Sequence, residues 1–222
     1  MNWDGFITTS GIFVDKLPVD NKGSFDPNSA LSPAEKYMAH ILVSGKKVGL
    51  DLGGTFGVSM TRVGGIPGLK SSKLFVTNHE TFNTVDNLAE AARRLEAIDQ
   101  ATNSQWAGKP INAPILPNIK TVEWMRSNRD RVEYLEGVNT QVDGFAVKLP
   151  QLDIVHEANG GLHNALFNSR SAIDELSSRM NTGSLLVTLE DLSDRERWGR
   201  NHGLIRKSDV HIPPYRVYEK AE

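Results

Sequence analysis

The chain has 222 residues, 39% hydrophobic and 23% charged, which excludes a wholly disordered polymer and fits one large domain able to bury its own core. A formal net charge of −2 excludes a globally basic nucleic-acid footprint, and no run of 18 apolar residues is present to span a bilayer. The absence of cysteine removes disulfides, zinc–thiolate centres and thiol nucleophiles together.

Residues 1–30 read as an N-terminal arm. Asp20 to Ser24 and Asp26 to Ser29 are turn chemistry around one short strand, Gly11 to Val14. Trp3, Phe6, Ile12, Phe13 and Phe25 are costly to leave in water, so the arm is expected to lie on its own domain or on a neighbouring subunit. The first residues carry neither a basic start nor an apolar stretch of signal-peptide length, and cytoplasmic synthesis is the expectation.

The first helix is signed at both ends. Ser32 is a good N-cap, Pro33 suits the first helical position, Glu35 completes a capping box and Gly45 stops the run. Lys46 to Val63 is predicted to be a β-hairpin turning at Gly53-Gly54, since paired glycines supply the positive φ of a tight turn. Leu74 to Thr77 reads as a third strand, and helices are predicted from about Val85 to Asn103 and from Asn118 to about Leu135, separated by a proline-stiffened stretch at 109–117. Strands are expected at 145–149 and 152–155, a helix over 162–180 closed by Asn181-Thr182-Gly183, and a strand at 185–189. Ser193 to Glu196 reads as a second capping box opening a short helix, and 208–222 as an extended C-terminal tail. Mixed element order predicts a single compact α+β core domain over 31–207, with a mainly antiparallel sheet, several packed helices and extended arms at both ends.

Asp51-Leu52-Gly53-Gly54-Thr55 is similar to the phosphate-binding hairpin of sugar kinases and related actin-like ATPases. That resemblance implies phosphate held by the glycine amides and the Thr55 hydroxyl, with Asp51 ending the strand; a plain hairpin turn is the other reading. His156-Glu157 begins a zincin-like pattern, but Gly160 stands where the second histidine belongs, and His163 falls beyond a helix-breaking Asn159-Gly160-Gly161. The most concentrated charge spans 195–207, with five cations, Arg195, Arg197, Arg200, Arg206 and Lys207, against one anion, and with Trp198 and His202 among them. Arginine suits phosphate forks and tryptophan can stack on a base or anchor a protein partner, while a solvated helix with Trp198 tucked inward explains the same residues.

No catalytic residue, metal-ligand set or cofactor emerges from these motifs. The leading expectation is a non-enzymatic structural or assembly protein, acting through protein–protein contacts in a larger, virion-like particle and using its arms to reach other subunits. Two alternatives stand beside it: a nucleic-acid-binding accessory protein using 195–207, and a small phosphotransferase or nucleotide binder using Asp51 to Thr55.

Overall fold

The computed structural model describes residues 6–7, 13–14, 33–43, 47–53, 63, 73–77, 130, 132–157, 161–162, 165, 169–199 and 202–222. In the arm, β1 (Phe6–Ile7) and β2 (Phe13–Val14) pair antiparallel as a small ribbon. Trp3, Ile12 and Phe25 lie outside the described residues, as does the helix expected over 85–103.

A seven-stranded sheet organises the rest. Its strands are β3 (Val48–Asp51), β4 (Lys73–Val76), β5 (Val132–Tyr134), β6 (Leu152–Glu157), β7 (Met180–Thr188), β8 (Leu204–Arg206) and β9 (Arg216–Lys220). Across the sheet they run β5-β4-β3-β6-β7-β9-β8. The pairings from β5 to β7 are all parallel, and only β9 runs against its two neighbours. The expected mainly antiparallel α+β fold is therefore corrected to an α/β sheet that is mostly parallel.

The same pairings remove the hairpin. Lys73–Val76 and Leu152–Glu157 occupy both edges of Val48–Asp51, so no edge is left for an antiparallel partner from 56–61. The C-terminal tail is not an arm either, because Arg216–Lys220 is an internal strand between β7 and β8. Val132–Tyr134 is strand where helix was expected, and 145–149, expected as strand, begins with a 3-10 turn, Phe145–Lys148. Asn181, Thr182 and Gly183 do not close a helix. They bulge from β7, where register with β6 jumps from Leu152–Met180 to Ile154–Leu185 and Gly183 takes φ 80°.

Helices cover both faces. In α1 (Pro33–Val43), Ala34, Met38 and Leu42 recur every four residues and are buried. The Leu42 side chain lies 3.5 Å from where a Cβ on Gly49 would stand, which places α1 over the face carrying Gly49, Asp51, Ile154 and His156. In α2 (Ser169–Ser178), Ala172, Ile173 and Leu176 pack with Leu50, Phe75, Val155, Leu186 and Tyr218, residues in mutual register on the opposite face. Strands buried on both faces need near-continuous apolar runs, as β3, β4 and β6 have. Among the described residues no helix is long and apolar enough to cross a membrane.

Candidate functional site

Chain order reverses at one seam of the sheet. The succession β3, β4, β5 is laid out to one side of β3, while β6 and β7 lie to the other. Crossovers leaving in opposite directions open a crevice at the carboxyl ends of the two strands, where open parallel sheets bind ligands. Here those ends carry Asp51 on β3, and His156 and Glu157 on β6.

Asp51 and His156 stand in register, and His156 Nδ1 is 2.9 Å from Asp51 Oδ1. Both are buried, at 0% and 2% exposure for the histidine and aspartate side chains. Burial pushes the imidazole towards its neutral form, but Asp51, with Glu35 of α1 and Glu157 beside it, outweighs burial and holds the His156 pKa above its ordinary value. The Tyr215 ring packs against His156 at 5.6 Å between centroids.

The turn leaving β3 is fixed by its neighbours. The Leu52 amide donates to the His156 carbonyl (2.8 Å), the Thr77 amide to the Asp51 carbonyl (3.0 Å) and the Gly53 amide to Thr77 Oγ1 (3.2 Å). Gly53 takes φ 74°, a conformation that favours glycine. At the next strand end Thr188 Oγ1 donates to Glu157 Oε2 (2.6 Å) and accepts from the Glu190 amide (3.0 Å).

Gly161 closes over this turn. A Cβ there would stand 2.4 Å from Leu52 Cγ and 3.1 Å from the Leu52 carbonyl oxygen, and its own carbonyl accepts from Thr140 Oγ1 (2.6 Å). Gly161→Ala is expected to displace Leu52 or the 161–162 segment and cost about 1–3 kcal/mol, the usual cost of overpacking. A urea midpoint unchanged from the wild type would contradict that fit.

Of the residues singled out from sequence, Asp51 and Gly53 stand at the seam, whereas Gly54 and Thr55 lie outside the described residues. Asp51 ends a strand paired in parallel on both edges, so β3 is not the arm of a hairpin on which the phosphotransferase reading stood. The 195–207 segment is not one exposed basic patch. Trp198 ends a short helix, α3 (Arg195–Trp198), and is 1% exposed in the core, so it offers no face to a base. Arg197 lies over that ring at 4.5 Å and 3.4 Å from Glu190. Lys207 bonds Glu219 at 2.6 Å, His202 is buried, and Arg206 is exposed. The Arg195 side chain and Arg200 lie outside the described residues. The helix is capped by Asp194, whose Oδ1 accepts from the Glu196 and Arg197 amides, not by Ser193, which bonds Asp191. Sequence reasoning missed Thr77, Thr188 and Gly161. It considered His156 and Glu157 only as half of a metal motif; among the described residues no group of three metal-ligating side chains occurs.

No family model matches the chain, and no curated protein does. Solved structures do match. A methyltransferase from Geobacter sulfurreducens is 12% identical, with 87% of this chain and 80% of that one covered and a TM-score of 0.48. The precorrin-6y C5,15-methyltransferase from Geobacter metallireducens is 12% identical, covering 84% and 88%, with a TM-score of 0.46. The fibrillarin pre-rRNA processing protein of Methanococcus jannaschii is 13% identical, covering 89% and 77%, at 0.45. Identities and scores this low describe a likeness of outline. The expected structural, assembly or virion-like protein is withdrawn, because the C-terminal arm it relied on is an internal strand of the sheet.

Proposed function

We propose that the chain is an enzyme of the methyltransferase type, binding an adenosine-bearing methyl donor, S-adenosylmethionine, in the crevice where β3 and β6 diverge. The observation that supports the reading is the reversal of strand order at that seam, with the Asp51–Gly53 turn at its carboxyl end. A ligand there approaches backbone, and Gly53 at φ 74° presents no side chain to it. The arrangement departs from an all-parallel dinucleotide-binding sheet in the reversed strand β9, and methyltransferases are named among solved chains of similar outline.

The residues present fit such a donor in part. Thr77 closes the end of β4, where a nucleoside ribose calls for a carboxylate nearby; Glu80 is the first carboxylate after it in the sequence and lies outside the described residues. When bound, the donor supplies a methyl group on a sulfonium, ready for attack by a nucleophile. This chain's part is to hold the turn at 51–53 in place, to close the crevice floor with Leu52, and to keep water from it with the 161–162 segment.

Thermal unfolding in the presence of S-adenosylmethionine, S-adenosylhomocysteine or NAD tests the reading. At a hundredfold excess over Kd either sulfur ligand should add about 2.7 kcal/mol, which for a chain of this length is a rise in Tm of roughly 5–10 °C. A rise with NAD alone, or with none of the three at millimolar concentration, overturns it.

A further inference from the structure

The two halves of the sheet meet along β3 and β6, and side chains tie that seam at both ends. At the amino end the Val48 amide donates to Asp153 Oδ2 at 2.8 Å. At the carboxyl end the tie is the buried contact of His156 Nδ1 with Asp51 Oδ1, one residue before the turn. The Asp51 carbonyl in turn holds the Thr77 amide, whose side chain holds the Gly53 amide. Whatever fixes Asp51 therefore fixes the whole turn.

We propose that His156 is a positioning residue for the crevice: while its ring is positively charged it clamps Asp51 across the seam and holds the 51–53 turn in its ligand-ready form. The charged groups acting on the ring are Asp51 from β3, Glu35 from α1 and, from the other face of its own strand, Glu157, with the Tyr215 ring packed alongside. A neutral imidazole keeps the hydrogen bond to Asp51 but leaves buried carboxylates facing an uncharged ring, and that weakens the clamp. The sign follows from the direction of the shift. With the folded value raised above the ordinary one, the clamp is at full strength below about pH 6.5 and is lost as pH rises through the folded value. The clamp itself stands apart from the methyl-donor reading; only its effect on affinity rests on that reading.

Hydrogen exchange read by NMR separates the two. After correction for intrinsic rates, protection of the Leu52, Gly53 and Thr77 amides should fall about tenfold per pH unit between the open and closed pKa values of His156. Amides of the edge pairing β8–β9, which exchange by local opening away from the seam, should stay flat over the same window. His156→Asn, which keeps an N–H towards Asp51 and has no proton to lose, should show no such slope. A flat wild-type profile at the turn, an equal fall at the β8–β9 edge, or the same slope in His156→Asn overturns the clamp. Binding of S-adenosylhomocysteine, measured by calorimetry, should weaken in the same window. Loss of turn protection without any binding leaves the clamp standing and removes the proposed ligand. Binding whose affinity ignores the window refutes the positioning role.

Discussion

At pH 7 the substitution His156→Leu is expected to cost roughly 3–5 kcal/mol of folding stability, the range for removing one partner of a buried ion pair. It leaves the Asp51 carboxylate in a site 2% exposed with no imidazole opposite it. Asp51→Leu should cost less, nearer the about 1.5–3 kcal/mol of a charge-assisted hydrogen bond. The reason is asymmetric chemistry: an imidazole stripped of its partner can shed a proton at neutral pH for little, since its ordinary pKa is about 6.5. With both positions leucine no charge of the pair remains buried, and the double variant should recover most of the loss. Urea denaturation of the four proteins closes this cycle. The gap between wild type and His156→Leu should also narrow on the alkaline side, because the raised pKa confines the histidine's contribution to pH values below it. A His156→Leu protein within about 0.5 kcal/mol of wild type, the range of an ordinary surface change, would show that the pair does not bridge the seam.

That pair also marks where the sequence stops being readable. Val48 to Asp51, Leu74 to Thr77, Leu152 to Val155 and Leu185 to Leu189 are recognisable as strands from their apolar, β-branched runs, and Pro33 with Glu35 announces α1. Pairing direction is not written locally. Val48 to Asp51 lies beside Gly53-Gly54, and positive φ at Gly53 serves a hairpin turn and a strand-to-crossover turn equally. Only the partners decide, and one of them, β6, is about a hundred residues away, as the 105-residue separation of Asp51 and His156 records. Phe145 to Leu149 shows a different failure. Apolar side chains at 145, 146, 147 and 149 read as strand, yet Val147 is 73% exposed while Phe145 and Ala146 are buried, a pattern that suits a turn laid on the core. The local preference was real but weak, and the Glu175 carboxylate reaching the Gly144 and Ala146 amides from α2 overrides it. His156 and Glu157, read singly, are a broken metal motif. Set beside Asp51 and Thr188 they become part of the polar ends of three neighbouring strands.

Trp198→Ala is expected to cost about 3–5 kcal/mol, the range for truncating a large aromatic inside a core. Trp198 is 1% exposed and belongs to the same apolar cluster as Ile173, Leu176, Leu192 and Leu204. It therefore joins α3 to α2 and to the edge strand β8. Arg197, over the ring at 4.5 Å, should matter far less: Arg197→Ala removes a partly exposed cation–π contact, for which about 0.5–1 kcal/mol is the usual scale. The contrast separates a core tryptophan from a recognition tryptophan. If Trp198 served a partner, its loss would weaken binding and leave the unfolding midpoint in place. As a core residue it should lower the midpoint sharply, and Trp198→Phe, which keeps most of the apolar volume, should restore a large part of the loss. Chemical denaturation of the three variants, followed by far-UV circular dichroism, reads the ordering directly; Trp198→Ala unfolding no earlier than Arg197→Ala would contradict the inward placement of the ring.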